Sequence, residues 1–285
     1  MMRSRFRWTT FDLTSSLCGD WQQEIAAAAD EAEFRDFPRT PILSRESQEV
    51  QHIFRGRVHA SDVRRNLPWL YRLYREDFLA LAQEACAEPV VAAHDSRYGI
   101  VLNVQRGTEM RFECHVDSNP LTGLLFCTDH LAGAGGELVF ARDATAADID
   151  AVERDGSVIR PHAGHLIFFD GREHPHYARP LLSRSDVRIV AVMNFYTESF
   201  PESTRPQELN HHLFGPALAR LPGRDAGQGR RAADRRAAED GVAGIEDSGL
   251  APGDAAGGVG QAEAHVVSDQ PDGAGVDFAV GAELD

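Results

Sequence analysis

The chain has 285 residues, 42% hydrophobic and 26% charged, which excludes a collagen-like, coiled-coil or wholly disordered protein. Its 29 basic residues stand against 44 acidic ones, a net charge of −15, so it repels phosphate backbones and no nucleic-acid partner is expected. Every basic residue is arginine, which excludes a Schiff-base or phosphate-loop lysine.

In chain order, the opening Met-Met-Arg-Ser-Arg-Phe-Arg-Trp has basic residues but no apolar run, so no secretory signal is expected and the cytoplasm is the expected location. No apolar stretch approaches the roughly 20 residues of a membrane helix, and no membrane partner is expected. Trp21–Phe34 is rich in strong helix formers, with Asp20 placed to cap it. Leu67–Ala85 spaces Leu70, Tyr71, Tyr74, Phe78 and Leu81 at helical intervals, with Pro68 in the first turn. That aromatic stripe reads as core packing.

From about residue 97 the period changes to that of strands. Short apolar runs at Tyr98–Val104, Gly123–Thr128, Glu137–Phe140, Ser157–Ile159, Leu166–Phe169 and Val187–Tyr196 are separated by Gly, Asn-Pro and Asp-Gly turns. Many short strands of this kind predict an antiparallel sandwich or jelly roll. The expected class is α+β: a jelly-roll core under an N-terminal helical layer. The expected divisions are a helical region at 1–95, the catalytic core at 96–200, a C-terminal helix at 201–221 and a tail at 222–285. In that tail Gly and Ala make up 27 of 64 residues and Phe278 is the single aromatic, so an acidic disordered segment is expected. Cys18, Cys86, Cys114 and Cys127 show no Cys-x-x-Cys spacing and read as reduced, mostly buried thiols.

The chemistry concentrates in two places. In Cys114-His115-Val116-Asp117-Ser118, an extended backbone would put His115 and Asp117 on one side. By itself the His-x-Asp spacing is weak, and a surface turn before Asn119-Pro120 explains it equally well. Downstream, an apolar strand enters the Asp170-Gly171 turn, and His174 and His176 follow. Arg188 then heads a strand apolar on both faces, where an unpaired guanidinium would be costly without an anion. Two histidines and a carboxylate on strands describe a non-haem Fe(II) site with open positions. A buried arginine beside it suits the distal carboxylate of 2-oxoglutarate.

Over about residues 96–200 the sequence resembles the Fe(II)/2-oxoglutarate-dependent oxygenases. The resemblance is carried by His115-Val-Asp117, Gly135-Gly-Glu-Leu138, Gly164-His-Leu-Ile-Phe-Phe169, His176-Tyr-Ala-Arg-Pro180 and Arg188. His115-Val-Asp-Ser-Asn-Pro120, Val190–Thr197 and Asn210–Gly215 look closer to the branch of radical halogenases acting on free amino acids, with their hydroxylase relatives. The resemblance implies a double-stranded β-helix, with Fe(II) held by His115, Asp117 and His176. It further implies 2-oxoglutarate on Arg188, and O2 as oxidant. His176 fits the family pattern, with Ala178 and Pro180 after it, and His174 does not. Because Asp117 stands where the halogenating members carry a small residue, hydroxylation is the expected outcome. Arg106 and Arg111 are candidates to receive the carboxylate of a small, amino-acid-like substrate. A peptide side-chain (prolyl-type) hydroxylase is the alternative within the family. A non-catalytic metal-binding sensor is the alternative from another class, and the complete ligand set argues against it. A zinc hydrolase would more often draw on His-Glu-x-x-His spacing, which is absent.

Overall fold

The computed structural model describes residues 6–210, 212 and 264–268. Its strands are β1 (Arg7–Asp12), β2 (Glu33–Pro38), β3 (His52–Val58), β4 (Val90–Ala92), β5 (Ile100–Arg106), β6 (Leu121–Phe126), β7 (Leu138–Ala141), β8 (Gly156–Ile159), β9 (His165–Phe169), β10 (His176–Ala178), β11 (Val187–Thr197) and β12 (Ala264–Ser268). The helices are α1 (Trp21–Asp30), α2 (Ala60–Asn66), α3 (Pro68–Arg75), α4 (Asp77–Ala85) and α5 (Ile149–Arg154). Every pairing is antiparallel. A nine-stranded sheet runs β12-β1-β9-β6-β11-β5-β3-β2, with β4 on the far end of β11, and a three-stranded sheet runs β10-β7-β8.

The large sheet is covered on both faces, and β11 shows how. Ile189, Ala191, Met193 and Phe195 point to one side, where they join Trp21, Ile25, Leu70, Tyr74 and Phe78 of the helices in the main core. Val190 points the other way and packs with Leu138, Phe140 and Ile159 of the small sheet, together with Phe6, Trp8 and Phe169. A strand buried on both faces reads as a continuous apolar run, which is why Val187–Tyr196 lacks alternation. The class is the expected one, α+β with a jelly-roll core between the two sheets.

The region before residue 96 contributes four strands beside its four helices. Helix α1 stops at Asp30, and Phe34 belongs to β2. The single helix expected over Leu67–Ala85 is two, α3 and α4, broken at Glu76 with φ −121° and ψ −86°. Pro68 opens α3 as expected. The aromatic stripe is core: the Tyr74 hydroxyl, 1% exposed, donates to the Asn194 carbonyl at 2.9 Å and accepts from the Ala93 N–H at 2.9 Å. It thus ties α3 to β11 and the end of β4.

Past residue 200, a short 3-10 turn at Glu202–Thr204 leads to helical residues 207–210 and 212. The rest of the C-terminal helix expected at 201–221 lies outside the described residues. So does most of the segment expected as a tail. Within it, residues 264–268 form β12, paired with β1 from Arg7 opposite Ser268 to Phe11 opposite Ala264. All four cysteines are free, with Cys114 and Cys127 buried, Cys86 partly buried and Cys18 exposed. Among the described residues no helix is long and apolar enough to cross a membrane.

Candidate metal centre

His115 belongs to no strand. Its backbone pairs reciprocally with His176 of β10: the His115 N–H donates to the His176 carbonyl at 3.0 Å, and the His176 N–H returns the bond at 2.9 Å. Directly opposite residues of an antiparallel pair project their side chains to the same face. The two imidazoles therefore meet, their ring centroids 4.6 Å apart. Two residues on, Asp117 points to that same face, and its N–H is anchored on the Gly171 carbonyl at 3.0 Å.

Each donor atom is aimed by a neighbour. The Nδ1–H of His115 donates to the Glu113 carbonyl at 2.7 Å, and that of His176 to the His174 carbonyl at 2.9 Å. Fixing the proton on Nδ1 leaves the Nε2 lone pairs free to face inward. Thr122 donates to Asp117 Oδ2 at 2.7 Å and itself accepts from Asn119 Nδ2 at 2.8 Å, which turns Oδ1 toward the histidines. Asp117 Oδ1 lies 3.5 Å from His115 Nε2 and 3.7 Å from His176 Nε2. One donor atom from each residue falls within 4.8 Å of the others, and they form the only such cluster of three among the described residues.

The electrostatics suit a cation. Burial lowers the His176 pKa to about 4, against the pull of Asp117, so its imidazole stays neutral and able to ligate. Burial would raise the pKa of Asp117, but His176, His115 and Thr122 together hold it well below the usual carboxylate range. For His115, burial lowers the pKa and the Asp117 carboxylate raises it, and the net shift is upward. The set is two imidazoles and one carboxylate, the donors that bind Fe(II) and leave coordination positions open. Phe140 stacks on His176 with centroids 4.6 Å apart, forming an apolar wall.

A cavity of about 70 Å³ holds the three donors and is further lined by Asn103, Phe112, Leu124, Arg188 and Val190. At ~10–15 Å³ per water position it has room for about five waters or the core of a small organic acid. Arg188, 3% exposed, donates from Nε to the Gly136 carbonyl at 2.6 Å. It meets no carboxylate among the described residues, and burial lowers its pKa to about 10, with Cys127 and Glu137 opposing. Its remaining N–H groups are available to an anion.

The other residues singled out in the sequence lie elsewhere. Arg106 pairs with Asp30 at 2.6 Å on the partly exposed surface. Arg111 grips both carboxylate oxygens of Glu46, at 2.5 and 3.0 Å, and Glu46 also accepts from the Cys114 N–H at 2.7 Å. That ion pair braces the segment before His115, and neither arginine lines the cavity. His174 bonds to the Ala141 carbonyl at 2.9 Å and sets its edge against Phe6. The support that Thr122 and Asn119 give Asp117 has no sequence signal, because a threonine five residues after an aspartate carries no pattern of its own.

Gly171 is required by a close approach. A Cβ at that position would overlap Asp117 Oδ2 and come within 2.9 Å of His176 Cε1. Gly171→Ala should displace Asp117 and lower metal affinity by about 10–100-fold, the range seen when a ligand's support is disturbed. Mn(II) titration followed by electron paramagnetic resonance measures it, and unchanged affinity would show that the carboxylate can shift without cost.

No protein-family model and no curated protein matches the chain. Solved structures do. AviO1 from Streptomyces viridochromogenes shares 17% identity over 69% of this chain and 92% of its own, with a TM-score of 0.49. An oxidoreductase of the 2OG-Fe(II) oxygenase family from Burkholderia pseudomallei shares 12% over 70% of this chain and 89% of its own, with a TM-score of 0.46. A prolyl hydroxylase from Trichoplax adhaerens, solved with a hypoxia-inducible-factor peptide, shares 12% over 67% of this chain and 84% of its own, with a TM-score of 0.47. These are likenesses of backbone course, and the chemistry of the site stands on this chain's own side chains.

Proposed function

We propose that the protein is a non-haem Fe(II)/2-oxoglutarate-dependent oxygenase that hydroxylates an unactivated C–H bond of a small, amino-acid-like substrate. The observation that carries this reading is the convergence of His115 Nε2, His176 Nε2 and Asp117 Oδ1 in a cavity that also holds the carboxylate-free Arg188. The three residues would hold Fe(II) on one face, and Arg188 would take the distal carboxylate of 2-oxoglutarate. Bound iron supplies the activation of O2 that no side chain here can provide. The reaction balances as substrate, 2-oxoglutarate and O2 going to hydroxylated substrate, succinate and CO2. Leu124, Leu138, Phe169 and Val190 line the cavity with apolar surface, Phe140 backs His176, and together they limit water around the reacting centre.

The test is incubation of the iron-loaded protein with 2-oxoglutarate and a panel of free amino acids and peptides, read by mass spectrometry and succinate release. Turnover of peptides alone would favour the prolyl-type alternative, and metal binding without any succinate would favour a sensor. Asp117 also predicts the kind of product. Its carboxylate would hold the metal where a halide would otherwise bind, and its charge would oppose an anion there. With saturating chloride, the unmodified protein should yield a product gaining one oxygen atom. A chlorinated main product would overturn the assignment of Asp117 as a ligand.

A further inference from the structure

A second cationic group flanks the cavity. In the pairing of β3 with β5, Arg57 stands opposite Asn103, and Val58 opposite Leu102. Val58 and Leu102 both lie in the helix-side core. Arg55, Arg57 and Asn103 therefore face the other side of the sheet, where Asn103 lines the cavity of the triad. Arg55 is 7% exposed, and its guanidinium lies 4.6 Å from the ring centre of Phe37 and 5.3 Å from that of the cavity residue Phe112. Arg205 closes the arrangement from the C-terminal side: it bonds to Ser118 Oγ at 3.1 Å, one residue beyond Asp117.

Among the described residues no carboxylate pairs with Arg55 or Arg57, whose guanidiniums meet only the faces of Phe37 and, for Arg55, Phe112. The Nε atoms of Arg55 and Arg57 and Oδ1 of Asn103 are buried without a hydrogen-bond partner, as is Nε2 of His212. The acids nearby are already engaged: Glu113 accepts from the Thr40 N–H at 2.7 Å and hydroxyl at 2.5 Å, and Glu33 pairs with Arg35 at 2.9 Å and His59 at 2.8 Å. Burial lowers the Arg55 pKa to about 10, with Glu113 opposing and Arg35 adding to the shift. Burial, then repulsion from Arg55, Arg205 and Arg35, lowers that of Arg57 to about 9. Unpaired buried cations are strongly unfavourable, and a chain with a net charge of −15 has no shortage of acids to place beside them. Two guanidiniums without a carboxylate, each with a buried Nε lacking an acceptor, form an arrangement that an incoming anion completes.

We propose that Arg55 and Arg57 form the anion subsite of the substrate. A carboxylate or phosphate of the small molecule sits on the two guanidiniums, Asn103 Oδ1 receives a hydrogen-bond donor of the same molecule, and the remainder reaches the triad. This rests on the oxygenase reading for what lies at the triad and at Arg188. It replaces Arg106 and Arg111 as the substrate's charge partners.

The experiment uses the full chain with Mn(II) and 2-oxoglutarate under anaerobic conditions, so that binding is read without turnover. The probes are free α-amino acids, their α-carboxamides and inorganic phosphate, followed by calorimetry and thermal shift. At least one amino acid should bind, with its carboxamide weaker by about tenfold or more, as loss of a charge-assisted contact implies. Arg55→Gln and Arg57→Gln should each weaken it similarly, while Arg106→Gln leaves it unchanged. Without ligand, Arg57→Gln should melt no lower than the parent, because it removes an uncompensated charge; a structural arginine would lower the melting temperature. Binding of phosphate alone, lost in the same variants, would support the subsite and assign the anion to a phosphorylated substrate. The proposal is overturned if no probe senses Arg55 or Arg57, or if 2-oxoglutarate affinity falls in these variants and survives Arg188→Gln. Should anions bind through Arg55 and Arg57 while Mn(II) and 2-oxoglutarate do not bind, the oxygenase reading fails and the subsite stands.

Discussion

Replacing His176 with alanine should abolish iron-dependent succinate formation and reduce metal affinity by more than about a hundredfold, the upper end for disturbing only a ligand's support. The reciprocal bonds to His115 are made by backbone atoms, so the variant keeps the pairing that aligns the two strands. What it loses is Nε2 and the ring stacked on Phe140. His174→Ala is the informative companion. It removes a bond to the Ala141 carbonyl and an edge contact with Phe6, so its melting temperature should fall while metal binding persists. Retention of metal by the His176 variant and its loss by the His174 variant would reverse the assignment.

Arg188→Gln should raise the 2-oxoglutarate requirement without unfolding the protein. Truncating one partner of a buried, hydrogen-bonded charge pair costs about 2–5 kcal/mol, which corresponds to roughly 30-fold to several thousandfold in affinity. Within the described fold this arginine bonds only to the Gly136 carbonyl, so its removal breaks no ion pair. Titration of 2-oxoglutarate against succinate release measures the shift, with thermal melting as the control. A lower melting temperature with no change in co-substrate requirement would make Arg188 a structural residue.

The strands around the site were legible because their chemistry is local. β5, β6, β7, β8, β9 and β11 are short apolar runs between Gly or Asn-Pro turns, and each falls within a few residues of where the pattern places it. β3 carries no such signal for a physical reason: on the face opposite the helix-side core it holds Arg55 and Arg57, which interrupt the apolar half of the alternation. In β1, the buried Thr9 and Thr10 do the same. The break at Glu76 has no Gly or Pro to announce it. At the site, His115 and Asp117 were visible through their spacing and His176 through the family pattern. Their convergence depends on a backbone pairing between segments far apart in sequence, which no local signal encodes. The arginines mark the limit most clearly. Whether one is matched, as Arg111 is by Glu46, or bare, as Arg55 is, depends on which acids the fold delivers beside it.

The place of β1 in the large sheet has a consequence for how the molecule is made. It lies between β12 and β9, with Trp8 opposite Phe169 and Thr10 opposite Ile167, partners more than half the chain away. During synthesis this strand leaves the ribosome long before β9 exists. Phe11, fully buried against Phe168 in the finished fold, has nothing to pack on in that interval. Pairings of such long sequence separation close slowly, because loop entropy is lost before the contact is gained. The sheet therefore cannot assemble in order of synthesis, and its early apolar segment waits in a form that chaperones bind and that crowding turns toward aggregation.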